Sequence, residues 1–176
     1  MKDEPMRRWV WIWIVLTGIG GCHKDDGPKA LFTVESTSSF TIPAGLNTVE
    51  THYFVVNNIP SSLEAQLKSH NLTLDDLEKI NPLQCRLLAL DGTPTYQFIQ
   101  DISIMIYTKK NPVKREIAFM EPVPLNTGSS LQLFPTLIDV KDYLSSSVYS
   151  VEIRLRLRGF PSRTIDTRLD LAFEAR

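Results

Sequence analysis

The sequence is poor in the residues that most often carry chemistry. Two cysteines, Cys22 and Cys85, and three histidines, His23, His52 and His70, are all it has of either type in 176 residues. With so few cysteines, a disulfide framework is excluded as the source of stability. No His-Glu-x-x-His zinc pattern, Gly-x-Ser-x-Gly elbow or glycine-rich phosphate loop occurs, and no metal or cofactor is implied. Tryptophan is confined to Trp9, Trp11 and Trp13. There is no excess of either charge: 19 basic and 20 acidic side chains give a formal −1, which lacks the basic footprint of a nucleic-acid binder. The longest apolar block, Trp9 to Gly21, has thirteen residues, whereas a spanning helix needs roughly twenty.

What is present begins with that block. Arg7 and Arg8 precede it, and Ile19-Gly20-Gly21-Cys22 ends it with small residues just before a thiol. This is the layout of a cleaved export signal. Ile19 to Cys22 resembles the lipobox of bacterial lipoproteins, which implies a signal peptide over residues 1–21 and a lipid on Cys22. The following Lys24-Asp25-Asp26 resembles the export signal of surface-exposed Bacteroidota lipoproteins. That resemblance implies an outer-membrane protein, anchored in the membrane by its N-terminal lipid and exposed at the cell surface, with a periplasm-facing anchor as the alternative. Residues 22–30, with Gly27 and Pro28, form a polar tether.

Residues 31–176 are expected to form one domain. Residues 1–21 hold Lys2, Arg7 and Arg8 against Asp3 and Glu4, so 16 basic and 18 acidic side chains remain after them. Phe32 with Val34, Phe40 with Ile42, Tyr53 to Ile59, Leu83 to Leu90, Phe98 to Thr108, Ile117 with Phe119 and Leu131 with Leu133 follow strand patterning. The spacing of Ser61 with Glu64, and of Thr73 with Asp76, predicts capping boxes and a small helical insertion at about 61–80. Asp139 is expected to start one further helical turn, and Cys85, in phase with Leu87, to be a small buried hydrophobe. At the C-terminus, Val151, Ile153, Leu155 and Leu157 alternate with Glu152, Arg154, Arg156 and Arg158. After a turn, a second alternating run extends from Ile165 to Glu174. Read as a hairpin, the two runs place Arg158 opposite Asp166 and Arg154 opposite Asp170.

The expected fold is therefore mainly β: an antiparallel β-sandwich with Greek-key, Ig-like connections and a helical insertion, with a small β-barrel as the alternative. The general layout resembles that of small lipoproteins from Bacteroidota, which brings no functional residue with it. The expected function is that of a non-enzymatic, lipid-anchored envelope module. It would bind a protein or extracellular polymer, or serve as an accessory subunit of an outer-membrane assembly. The arginine row Arg154, Arg156 and Arg158 is its possible binding face. A small surface hydrolase is the alternative, for which Cys85 with His52 or His70 is a candidate nucleophile pair and paired carboxylates another device; Asp75, Asp76 and Glu78 are more simply read as a helix N-terminus with favourable negative charge.

Overall fold

The computed structural model describes residues 29–92 and 95–176. They form eight strands: β1 (Phe32–Ile42), β2 (Thr51–Pro60), β3 (Ile80–Ala89), β4 (Ile99–Tyr107), β5 (Arg115–Met120), β6 (Ser130–Pro135), β7 (Val148–Leu157) and β8 (Ile165–Ala175). Every pairing is antiparallel, and the spatial order is β1-β8-β3-β6-β5-β4-β7-β2. The half β1-β8-β3-β6 joins the half β2-β7-β4-β5 only through Ala118↔Pro135 and Phe119↔Phe134. The outer edges β1 and β2 meet where Phe40 packs on Phe54, at 5.6 Å between ring centroids. The sheet is thus a nearly closed barrel. Its order is that of a jelly roll, in which two Greek keys bring sequence neighbours to opposite halves.

Alternation decides the core. Ile102, Ile104 and Ile106 of β4, Val151, Ile153, Leu155 and Leu157 of β7, and Leu169, Leu171 and Phe173 of β8 are buried, while Ser103, Arg154, Arg168 and Asp170 between them face outward. Phe119 departs from the expectation. Ile117 and Ala118 are both buried and Phe119 is turned out, because the β4–β5 ladder shifts register between Ile104 and Met105 and the bulge inverts the phase. Pro82 lies inside β3 rather than ahead of it. It stands at a register shift, where β3 has β8 alone as its neighbour, so the missing N–H breaks no ladder.

The helical insertion comprises α1 (Leu63–Ser69) and a 3₁₀ turn (Leu74–Asp76). Leu63 and Leu67 bury one face of α1. Its expected Ser61–Glu64 capping box does not form: Ser61 donates to the Leu144 carbonyl at 2.6 Å and Glu64 pairs with Lys68. Just beyond α1, Asn71 lies in the left-handed region at φ 55°. Its N–H bonds the Lys68 carbonyl while that of Leu72 bonds Leu67, the double closure that terminates many helices. The Thr73–Asp76 box does form, with the Asp76 carboxylate taking both the Thr73 amide and hydroxyl at 2.7 Å. Asp139 precedes α2 (Lys141–Leu144), accepting from the Lys141 amide at 2.9 Å and from the Ile80 amide of β3 at 3.0 Å.

The C-terminal hairpin is not formed. β7 lies between β2 and β4, and β8 between β1 and β3, so the two runs belong to different halves of the sheet. Arg158 does not face Asp166, nor Arg154 Asp170. Each run has an apolar and a polar face, but that alternation is satisfied equally by any antiparallel neighbour, and the intervening turn crosses between the halves instead of closing a ladder.

The register also gives the molecule two distinct ends. The chain enters where Phe32 of β1 and Ile80 of β3 flank Ala175 of β8, with the Leu31 amide bonded to the Ala175 carbonyl at 2.8 Å. The insertion and α2 belong to that end. Six connections cross between the halves; the insertion and the β6–β7 segment do so at the entry end, and the other four, residues 43–50, 90–92 with 95–98, 121–129 and 158–164, belong to the opposite end. They are tied together there: the Gly45 amide bonds the Pro161 carbonyl at 2.9 Å, and the Tyr96 amide bonds Gly128 at 3.2 Å.

Candidate functional site

A broad concavity lies on the outer face of β2-β7-β4-β5. It measures about 570 Å³ and is lined by Tyr53, Asp101, Ser103, Phe119, Glu121, Arg154 and Arg156, among others. Two cross-strand rows build its floor, and a third flanks it, reaching it through Glu116. Thr51, Arg156 and Asp101 face one another across β2, β7 and β4. The next row runs Tyr53, Arg154, Ser103, Phe119 and continues to Phe134 of β6. The third runs Val55, Glu152, Met105, Glu116. The first row lies next to the crossing loops, away from the end where the chain enters.

The charged side chains are engaged with each other. Arg156 pairs with Asp101 of β4 and, at 3.7 Å, with Glu121. The Arg154 Nε donates to Glu152 at 2.8 Å, and its guanidinium lies 5.7 Å from the centre of the Tyr53 ring. Glu152 is buried, and Lys114 from the β4–β5 connection donates to its second oxygen. Burial alone would raise the Glu152 pKa, but hydrogen bonds and charge from Lys114 and Arg154 outweigh it and hold the carboxyl below its ordinary value.

Two members of the expected arginine row, Arg154 and Arg156, line this concavity. Arg158 does not: just beyond β7, it donates to the carbonyls of Val123 and Gln100 and so ties β4 to the β5–β6 connection. Cys22, Lys24, Asp25 and Asp26 lie outside the described residues. Tyr53, Phe119 and Phe134 are 60%, 39% and 59% exposed, although as aromatic residues on strands they are expected mostly to be core or interface side chains. A signal for them exists, since Phe134 falls out of phase with Leu131 and Leu133, and Tyr53 out of phase with Phe54 and Val56. An aromatic residue in the polar phase of a strand marks a surface kept apolar.

The second concavity, about 340 Å³, is on the outer face of the other half. There Asp170 takes hydrogen bonds from Arg86 at 2.8 Å, Arg168 at 3.2 Å and Thr37 at 3.1 Å. Burial works to raise its pKa, but these hydrogen bonds prevail and lower it.

The nucleophile pair expected of a hydrolase is not assembled. Cys85 is in the core, where burial pushes its thiol far up, with the Asp170 charge adding to the effect. The His52 ring meets the Asn47 carbonyl at 2.8 Å, and His70 stacks on Phe32 at 5.2 Å. Among the described residues, no three His, Cys, Asp or Glu side chains are grouped to hold a metal ion, and no helix is long and apolar enough to cross a membrane.

No family model matches the chain. No curated protein matches it either. Among solved structures, the decameric BFDV capsid protein aligns over 82% of this chain and 99% of its own, with 13% identity and a TM-score of 0.30, a likeness too slight to carry an argument.

Proposed function

We propose that this chain is a non-enzymatic binding module, held by a lipid on Cys22 at the outer membrane with its body outside the cell, and that it contacts an extracellular polymer or protein through the outer face of β2-β7-β4-β5. The observation that carries this reading is the groove itself: broad, open and crossing four strands, with exposed aromatic rings at its borders and ion-paired polar groups between them. A surface of this kind offers contact area rather than an enclosed chamber for chemistry. Its carboxylates Asp101 and Glu121 share Arg156, and Glu152 is held by two cations, which suits positioning more than proton transfer.

The placement of the groove agrees with a tethered module. Its first row adjoins the crossing loops, and the tether joins the sheet at the opposite end, so a lipid at Cys22 leaves the groove open to what lies outside.

The test is a photo-crosslinking amino acid placed at Ser103, midway along the central row, in the cells that make the protein. Adducts are expected at Ser103 and not at Gln84 on the opposite half. Adducts at neither position, or at both alike, overturn the reading. A purified protein that shortens the polymer it holds would be the hydrolase instead.

A further inference from the structure

We infer that the groove takes an extended, uncharged glycan chain laid across the strands, with its ends on Tyr53 and on the Phe119–Phe134 pair; this rests on the reading of the groove as a binding face. The inference stands on one register row. Tyr53, Arg154, Ser103, Phe119 and Phe134 are consecutive partners across β2, β7, β4, β5 and β6. Both ends of the row are aromatic and its middle is polar. Three strand spacings separate Tyr53 from Phe119, roughly 14 Å at the backbone, a length for several linked sugar rings and too long for one.

The side chains fit the chemistry of a sugar. A pyranose ring presents C–H groups on its faces and hydroxyls around its rim, so it favours an aromatic ring beneath it and paired donors and acceptors beside it. Phe119 and Phe134 pack at 6.3 Å with their planes tilted by 54°, which makes an angled apolar wall with Phe119 lining the groove and Phe134 beside it. At the other border the Tyr53 ring is held by the Arg154 guanidinium. Between the borders, the Ser103 hydroxyl in the row itself, the Thr51 hydroxyl, the Arg156 guanidinium and the Asp101 carboxylate in the neighbouring row, and Glu121 beside them supply donors and acceptors.

Charge selects against a polyanion. Two arginines line the groove, Arg154 and Arg156, against three carboxylates, Asp101, Glu116 and Glu121. Both guanidinia are already paired, with Glu152 and with Asp101 and Glu121. An acidic chain would meet an excess of negative charge and would have to displace internal partners, whereas an uncharged chain leaves the pairs in place. A protein ligand would bring a varied surface, for which a single aromatic-bordered row has no special fit.

The experiment uses the full chain in detergent micelles against neutral hexasaccharides (β-1,4-linked glucose, mannose and xylose, and α-1,4-linked glucose), their disaccharides, and polygalacturonate. Binding of at least one neutral hexasaccharide is expected, at least tenfold tighter than its disaccharide, with no binding of polygalacturonate. Tyr53→Ala and Phe119→Ala should each weaken it at least tenfold while melting cooperatively, and Phe160→Ala, exposed on a crossing loop outside the groove, should leave it unchanged. Absence of binding to every neutral chain, or equal affinity for the disaccharide, overturns the inference. If polygalacturonate or a protein is bound instead and Tyr53→Ala or Arg156→Ala releases it, the groove stands and the glycan falls. If a bound ligand ignores Tyr53→Ala, Phe119→Ala and Arg156→Ala alike, both fall.

Discussion

Glu152 and Asp170 hold equivalent positions in the two halves of the sheet. Each projects outward from the strand next to the edge, and each is held by an arginine two residues away on its own strand, Arg154 or Arg168, and by a second cation from a neighbouring segment, Lys114 or Arg86. The correspondence follows from the strand order, because β2-β7-β4-β5 repeats β1-β8-β3-β6 position for position. The charged outer faces are thus built twice on one plan; Tyr53 and Phe119 border the charges of one half with aromatic rings, and Phe134 of β6 adjoins Phe119 at the seam between the halves.

This arrangement makes stability sensitive to acid. Both carboxyls have folded pKa values below their ordinary 4.5 and 3.8. Folding therefore favours their ionised forms, and the stabilisation is complete above the ordinary values and lost as pH falls through the lower folded ones. Melting temperatures of the wild type should fall steeply below about pH 4.5, and those of Glu152→Gln with Asp170→Asn should fall less. At pH 7 each substitution should cost about 1 to 3 kcal/mol, as loss of hydrogen bonds to a charged group does. Parallel acid limbs in wild type and double variant would contradict this.

Strand positions were legible in the sequence because the period of two is local: the alternation from Phe98 to Thr108 and from Val151 to Leu157 needs no knowledge of neighbours. Partners were not legible. β7 and β8 adjoin in sequence and part in space, since an alternating strand accepts any neighbour that covers its dry face. The bulge at Ile104 and Met105, which turns Phe119 out, is a property of two strands together. The row from Tyr53 to Phe134 joins five strands and therefore needs the whole strand order. Capping was misjudged at Ser61 because the Leu144 carbonyl, distant in sequence, competes for its hydroxyl.

The core leucines give the clearest stability test. Leu155 and Leu171 are 0% and 3% exposed, one on each half. Truncating either to Ala should cost about 2 to 5 kcal/mol in urea unfolding, while Leu83→Ala, about half exposed, should stay within about 0.5 kcal/mol as surface changes do. A mild effect at both core positions would mean that the two inner faces do not pack as described.

Cys85 should be silent in the folded protein. Its thiol is buried and its pKa is raised, so little thiolate is available at neutral pH. In a Cys22→Ser chain, which leaves Cys85 as the single thiol, a maleimide should label slowly in buffer and rapidly in urea. Labelling in buffer at the rate of a free thiol would refute the burial.

Acylation at Cys22 is expected from the small residues that precede it. Cells fed a clickable fatty acid should label the wild type, and Cys22→Ala should remain unlabelled and run at the mass of the uncleaved chain. Equal labelling of the two would remove the lipid anchor and the orientation drawn from it.

The surface exposure proposed from Lys24-Asp25-Asp26 can be tested separately from anchoring. Replacing the three by Ala leaves Cys22 intact, so the protein should still be labelled by the fatty acid but should be retained on the periplasmic side. Brief protease treatment of whole cells should then destroy the wild type and spare the variant. The cut needs an accessible segment, and the crossing loops provide one: Leu125 and Phe160 are 70% and 67% exposed, and their loops lie at the end of the sheet opposite the tether. Leu125→Ala should slow cleavage by chymotrypsin, which cuts after large apolar residues, without slowing cleavage by other proteases; Phe160 offers no such cut because Pro161 follows it. Survival of the wild type in intact cells, with rapid cleavage once the outer membrane is opened, would place the module in the periplasm and deny the groove any extracellular ligand.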